Sequence, residues 1–390
     1  MSRRRTVCLS AIYLFPFALQ CFVNNLMPLY VASLDFATEK TVGEVAGVGA
    51  IMTAISLLVW SFLTGRARRK GRVLVLSMAL VLATSLLFLL KDVTYARLMV
   101  FVVFFYSCYM SHQPIVDTIV SESYTHTRHS FAFYRAFASL GYAAAGLLIA
   151  IIPTDNPRLF FVYIAALALI SLIFAIFHRD EEIIVAEKTK KSGKLSLDFF
   201  KFCLFVLIMF FSSSILATFT GVFFTGESHL GGDVGVFGIL VAVSSVAEWL
   251  LIVFLAKWTE KADARVIFLL IALSGVGRSV ILVFAPSSAV ASLSFLFNPL
   301  YFALLGACAA PYIKSIVPEG SNAFAQGVYT VVTFGLGTFL GSYVGGIIAE
   351  EFGMRNMFFV VAALYVALLP LSFVLIKGRR QTDPETKKDY

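Results

Sequence analysis

Charge is what this chain has least of. Only 14% of its 390 residues are Asp, Glu, Lys or Arg, while 59% are hydrophobic. An ordinary soluble domain is about 25% charged and about 45–50% apolar. No water-soluble fold hides that much apolar surface, so the medium is lipid. Further absences narrow the function. There is no HExxH, no GxSxG, no P-loop and no Cys/His cluster. The chain therefore offers no convergent nucleophile and base, no metal site, no cofactor motif and no ATP-driven motor. An enzyme is not expected. A receptor is not expected either, because the inside loops are too short for a signalling domain. The five cysteines (Cys8, Cys21, Cys108, Cys203 and Cys308) stand in separate apolar runs and read as small packing residues.

What is present is a series of long apolar runs. A bilayer core of roughly 30 Å needs about 20 apolar residues per helix. Twelve runs meet that demand, at approximately 7–33, 42–64, 73–90, 98–121, 129–153, 158–178, 198–225, 234–257, 266–284, 290–315, 322–349 and 356–377. Backbone groups in lipid must bond internally, which leaves helices or a closed barrel. The runs are continuous rather than alternating, which excludes the barrel. The first run follows SRRR and starts like a signal peptide. It is far longer than an h-region of about 7–15 residues, so a retained span is expected.

Basic residues orient the chain. With the N-terminus in the cytoplasm, 24 Lys and Arg residues fall on the inside and 5 on the outside. The positive-inside rule then puts both termini in the cytoplasm of a multi-pass cell-membrane protein. The net charge of +8 reports this topology and contact with anionic lipid heads, not nucleic acid. The longest hydrophilic loop, HRDEEIIVAEKTKKSGKLSLD, begins at His178 near the middle of the chain. It divides an N-terminal six-helix bundle (1–178) from a C-terminal one (198–377), with a linker at 179–197 and a tail at 378–390. An internal repeat supports duplication. PIVDTIVSES from Pro114 pairs with PYIKSIVPEG from Pro311 at an offset of 197 residues. TGRARRKG from Thr64 pairs more weakly with AKWTEKAD from Ala256 at an offset of 192. The expected fold is all-α and integral to the membrane, with twelve helices in two pseudo-symmetric bundles. Parallel six-helix repeats are the pattern of major facilitator transporters, whose substrate site lies near the midplane.

Away from loops and helix ends, four charges lie inside the spans: Asp117, Arg135, Glu248 and Arg278. Each costs roughly 2.5–3.5 kcal/mol on insertion scales, so pairing is expected. Asp117 precedes His126 by nine residues and Arg135 follows it by nine, which puts both about 13 Å from the turn. Glu248 and Arg278 each lie fifteen residues from Asp263. Each half thus carries an acid and an arginine at matching depth on consecutive helices. Structural salt bridges are one reading. Polar groups facing a water-filled cavity are the preferred one, because such residues mark transport paths. Asn24 and Asn25 are deep enough to line that cavity or to bond between helices.

Asp117, YRAFASLGY from Tyr134 to Tyr142, AEW at Glu248 and SGVGRS around Arg278 together resemble the oligosaccharide:proton symporters, of which lactose permease is the best-known member. The related nucleoside and phenylpropionate permeases are similar too. The resemblance spans most of the chain on a handful of positions. It implies that Asp117 and Arg135 hold sugar hydroxyls, that Tyr142 stacks on the ring in place of a tryptophan, that Glu248 binds sugar and couples to the proton, and that Arg278 stands near the proton site. The residue chemistry agrees. A carboxylate and a guanidinium fork supply directed acceptors and donors for a polyhydroxylated ligand.

Departures matter as well. The family's histidine and glutamate in the tenth run are replaced here by Asn298 and Tyr301 in SLSFLFNPLYFALLG. Neither titrates usefully near neutral pH. A proton, if carried, falls to Glu248 or Asp117, with Arg278 and His112 nearby. His112 and Asp117 are five residues apart and face about 140° apart on a helix. In TGRARRKGR, Arg68 stands where the superfamily's gating loop resembles G-x-x-x-D-R-x-G-R, with Arg69 and Gly71 beside it; the second copy keeps an acid, Glu260. Gating and lipid anchoring are equal readings of that loop. Gly337, Gly341 and Gly345 recur every four residues, which lets helices approach closely. The expected function is secondary transport of a small polar organic solute, sugar-like or nucleoside-like, by alternating access. Substrate-binding candidates are Asp117, Arg135, Tyr142, Glu248, Asn24, Asn25 and Asn298. The alternative is an efflux transporter of sugars or drugs, which the lack of Gly-Pro in SLGYAAAGLLIAIIP disfavours. A monomer is expected.

Overall fold

The computed structural model describes residues 3–123, 131–152, 156–178, 195–259, 261–318 and 321–378. Among them the chain is helical: α1 (Arg3–Ala32), α2 (Glu39–Arg66), α3 (Lys70–Ser85), α4 (Tyr95–Tyr109), α5 (His112–Ser123), α6 (Phe131–Ile149), α7 (Leu159–Phe177), α8 (Leu197–Thr225), α9 (Val234–Thr259), α10 (Ala264–Phe284), α11 (Ser288–Ser292), α12 (Asn298–Ile316), α13 (Asn322–Thr330), α14 (Thr338–Phe352) and α15 (Met354–Leu375). Eleven helical stretches are long and apolar enough to cross a bilayer, and Phe133–Ile149 is a shorter twelfth. The twelve stretches match the twelve apolar runs one for one. The helix of the fifth run ends at Ile149, and the run's expected end at 153 lies outside the described residues.

Four spans are not plain α-helices. The third ends in a 3-10 turn at Leu86–Leu89. The fourth breaks between α4 and α5 at Met110 and Ser111. Pro114 lies three residues on, and a proline can neither donate to the carbonyl four residues back, that of Met110, nor avoid its clash. The carbonyls freed at the break are bonded locally. The Ser111 hydroxyl donates to Cys108 O, and His112 Nδ1 lies 3.0 Å from Tyr109 O. The tenth span joins α11 to α12 through a 3-10 turn at Leu293–Leu296, with Pro299 at the start of α12. The eleventh carries a π-helical stretch, Val331–Gly337, between α13 and α14. There Thr338 Oγ1 donates to Thr333 O at 3.1 Å. Several helix starts are capped by side chains: Thr38 and Thr41 form a capping box on α2, and Ser196 and Asp263 cap α8 and α10.

Two compact units emerge, Met1–Glu187 with Asp233–Ser245, and Lys188–Gly232 with Val246–Tyr390. The first is organised around α1, which packs on α6 and α7. Its core holds a T-shaped and stacked aromatic group, Tyr30, Phe88 and Phe161, with Phe88 stacked on Phe161 at 4.2 Å. Gly141 on α6 lies so close to the Leu14 carbonyl that no side chain fits between. The start of α9 belongs to this unit because Gly235 and Gly238 lie against the backbone of α6 and the residue after it.

The second unit has α8 and α10 at its centre, packed on α14 and on α15. Phe202, Phe268 and Tyr312 form its aromatic core, with ring centroids 5.0–5.6 Å apart. The three spaced glycines do what their spacing suggests. Gly337 abuts Phe210, Gly341 abuts the Phe211 carbonyl and Ser214, and Gly345 abuts Ile215. The end of α15 is pinned here: Lys377 N donates to Tyr312 Oη at 2.8 Å, Lys377 Nζ pairs with Asp198 at 2.8 Å, and Arg265 Nε donates to Ile376 O at 3.1 Å. Outward faces carry large apolar side chains, Phe254 and Phe284 being 76% and 73% exposed. In lipid such exposure carries no hydrophobic cost.

Replacing Gly341 by Ala puts a methyl group into the Phe211 carbonyl and forces α14 off α8. Overpacking of this kind costs about 1–3 kcal/mol. Thermal unfolding of the detergent-solubilised variant is expected several degrees below that of the wild type, while Gly306→Ala, where a Cβ meets open space, shifts it by much less.

Candidate functional site

The first unit builds its polar groups on one stripe of α1. Tyr13, Phe17, Gln20 and Asn24 follow each other at helical spacing and share a face. Tyr13 is fully buried. Its hydroxyl donates to Asp117 Oδ1 on α5 at 2.6 Å. Arg135 on α6 reaches the same oxygen with Nη1 at 3.4 Å. The Asp117 side chain is 31% exposed and that of Arg135 is 55% exposed. Among the described residues Asp117 Oδ2 has no bond, and neither do the remaining guanidinium donors of Arg135. One acceptor and several donors therefore stand side by side, partly exposed, in an otherwise apolar span. A vicinal pair of hydroxyls fits that arrangement, giving a proton to the carboxylate and taking one from the guanidinium.

Further along the stripe, Tyr109 Oη donates to Asn24 Oδ1 at 2.7 Å, and Asn25 Nδ2 lies 3.2 Å from Tyr142 Oη. Both asparagines thus bond between helices. Asn24 is also exposed in mid-helix, so it has a solvent-side face as well. Tyr142 is held through its hydroxyl by Asn25 and is half-exposed. His112 is buried. A carbonyl can only accept, so the bond to Tyr109 places the proton on Nδ1 and leaves the lone pair on Nε2. Phe17 covers the ring edge-on at 5.3 Å. Nε2 has no partner among the described residues, and none of the described bonds joins His112 to Asp117.

The second unit corrects an expectation. Glu248 and Arg278 were expected to pair, because both lie fifteen residues from Asp263. Arg278 instead donates to Asn298 Oδ1 on α12 at 2.5 Å and to Thr220 Oγ1 on α8 at 3.3 Å. Tyr301 and Tyr365 lie beside the guanidinium. Glu248 is half-buried on α9, with no ion pair among the described residues. Counting residues from a turn fixes depth but not azimuth. Arg278 faces α8 and α12, and its side chain follows that face. Asn298, expected to touch substrate, here serves the arginine.

The gating candidates are dispersed. Arg68 and Arg69 occupy the short gap between α2 and α3 and are exposed, and Gly71 is buried in the first turn of α3. Arg69 makes no side-chain cap on α3. An aspartate there would cap the helix and favour its positive end; arginine does neither. Glu260 lies outside the described residues. Among those residues no group of three or more His, Cys, Asp or Glu side chains is placed to hold a metal. Sequence reasoning missed Tyr13, Gln20 and Tyr109. The α1 stripe was visible in the spacing, but a tyrosine in an apolar run does not announce its partner.

Residues 6–360 match the model of the MFS_1 like family. The uncharacterized transporter YwbF of Bacillus subtilis (strain 168) is 19% identical over 382 residues, covering 97% of this chain and 95% of that protein. The crystal structure of the nucleoside transporter NupG superposes with a TM-score of 0.80 at 15% identity, covering 96% of this chain and 99% of the other. That of a D-xylose-proton symporter gives 0.68 at 13% identity, covering 97% and 98%. At such identities the likeness establishes the fold.

Removing Asn298 isolates the effect of the arginine's partner. Asn298→Ala leaves a half-buried guanidinium short of an acceptor, a loss of about 1.5–3 kcal/mol for a bond to a charged group. Asn298→Asp keeps an acceptor and adds a counter-charge. The alanine variant is expected to melt well below the wild type and the aspartate variant at or above it, as read by thermal unfolding in detergent.

Proposed function

The chain belongs to the MFS_1 like family and is a multi-pass membrane transporter of the major facilitator type, and from that premise we propose that it carries a small polar organic solute bearing adjacent hydroxyls, nucleoside-like or sugar-like, by alternating access. The observation that carries this reading is the Asp117–Arg135 pair. It is held by a single 3.4 Å contact, it is partly open, and it sits within a span where an unused ionic pair is costly. Tyr142 and Asn24 supply an aromatic face and an amide further along the first unit, and Glu248 of the second unit is a separate substrate-binding candidate. The nucleoside and xylose transporters of the same fold support a hydroxyl-bearing solute. Proton coupling belongs to the same proposal. Glu248 and Asp117 are the candidate carriers, and Arg278 and His112 are further candidates for the proton path. Arg68, Arg69, Gly71 and Glu260 are proposed to act at the cytoplasmic gate and against anionic lipid heads. A monomer in the plasma membrane with both termini in the cytoplasm completes the reading. Efflux of sugars or drugs is the alternative direction, and no observation favours it.

Thermal-shift screening of the purified protein against nucleosides, monosaccharides, disaccharides and cationic drugs tests the substrate class. A nucleoside or sugar is expected to stabilise the wild type, with at least roughly tenfold weaker binding in Asp117→Asn and Arg135→Gln, as removal of a charge-assisted bond implies. A stabilising ligand indifferent to both substitutions places the site elsewhere. Coupling is read from proteoliposomes loaded with and without an inward proton gradient. Accumulation above equilibrium is expected only with the gradient, and Glu248→Gln is expected to retain exchange while losing accumulation. Equal accumulation in both conditions removes the proton from the mechanism.

A further inference from the structure

Two donors compete for one oxygen. Tyr13 Oη lies 2.6 Å from Asp117 Oδ1, and Arg135 Nη1 lies 3.4 Å from that same atom. The shorter bond belongs to the neutral donor and the longer to the cation, the reverse of what an isolated pair would choose, since charge-assisted N–H···O bonds run about 2.7–2.9 Å. Burial accounts for the order. Tyr13 is fully enclosed, on a helix fixed against α6 by the close contact at Gly141. Its hydroxyl therefore approaches from a position set by packing. Arg135 approaches on a long side chain that is 55% exposed and gives up rotamer freedom with each bond it forms.

The geometry points to Tyr13 as the positioning residue of this site: by occupying Asp117 Oδ1, it turns Oδ2 outward as a fixed acceptor and keeps Arg135 from closing into a two-pronged salt bridge, so that the guanidinium stays open to an incoming hydroxylated or anionic group. The acid is the stationary member of the pair and the arginine the movable one. A guanidinium locked onto both carboxylate oxygens would present neither partner to a solute. The inference extends the proposed function, because it names the residue that keeps the same two groups available, yet its first test needs no substrate.

That test is the reactivity of Arg135 toward phenylglyoxal, followed by peptide mass spectrometry on the full-length protein in detergent, with exposed Arg97 as internal reference. In Tyr13→Phe the carboxylate loses its neutral donor and draws in the guanidinium. Arg135 is expected to react roughly threefold more slowly than in the wild type, a factor within what a partly exposed ion pair is worth. Asp117→Asn removes the attraction, and Arg135 is expected to react faster. Unchanged rates at Arg135 in Tyr13→Phe overturn the inference. Should that variant lose its melting transition, an unchanged or slower rate in Asp117→Asn overturns it instead. The second test uses uridine and D-xylose transport in proteoliposomes. Tyr13→Phe is expected to raise KM roughly tenfold while the maximal rate holds within about twofold, the signature of lost ground-state binding. A loss of maximal rate at constant KM contradicts a positioning role. If the wild type transports neither probe and no member of the nucleoside and sugar panel stabilises it, the proposed function fails, and the phenylglyoxal result still decides the role of Tyr13.

Discussion

The cost of holding charge in a low-dielectric span governs the site. Four ionic side chains lie deep within the apolar runs, away from their ends, and the two units settle theirs differently. Asp117 receives a neutral hydroxyl from Tyr13 and a loose cation from Arg135. Arg278 receives two neutral oxygens, from Asn298 and Thr220. In neither unit is the charge cancelled by a tight two-pronged pair. A purely structural salt bridge would be expected to close, because desolvated charges gain most from complete pairing. Groups left with unused donors and acceptors are what a solute site requires.

Backbone irregularity falls on four of the twelve spans, and one break serves the site directly. Pro114 ends α4 at Met110, and α5 restarts two residues later with His112 and, further on, Asp117. The break re-aims α5, so that Asp117 meets Tyr13 of α1. Irregular backbone within a membrane needs its freed carbonyls bonded. Ser111 and His112 do this with their side chains, which gives His112 a structural task whatever else it does. The π-helical stretch Val331–Gly337 is likewise backed by Thr333 and Thr338. Close glycine contacts, Gly141 against α1 in the first unit and Gly337, Gly341 and Gly345 against α8 in the second, hold these helices at short separations.

Much of this was legible beforehand, and the limits have a physical shape. Apolar run length specifies a span because lipid thickness is a single number, so all twelve helical stretches could be placed from composition. Glycine spacing at 337, 341 and 345 specified a packed face, and each residue does abut α8. Depth was legible too, since rise per residue is constant, and it correctly put Asp117 level with Arg135. Azimuth was not. Counting from the turn assigns Glu248 and Arg278 one depth, but Arg278 turns to Asn298 and Thr220. The α1 face carrying Tyr13, Gln20 and Asn24 could be drawn on a helical wheel. Nothing in the wheel said that Tyr13 would reach a carboxylate 104 positions away.

The amino-acid order alone dictated that this chain lives in lipid, how many times it crosses, and which few charges must do work there. These outcomes follow from transfer free energies summed along a local stretch, which need no knowledge of neighbours. Tertiary packing alone decided which oxygen meets which donor: that Tyr13 and not Arg135 takes the short bond to Asp117, and that Arg278 is served by amide and hydroxyl rather than by Glu248. Such choices depend on rotation about helix axes and on sub-ångström separations between distant segments, and those are settled only when all the spans pack at once.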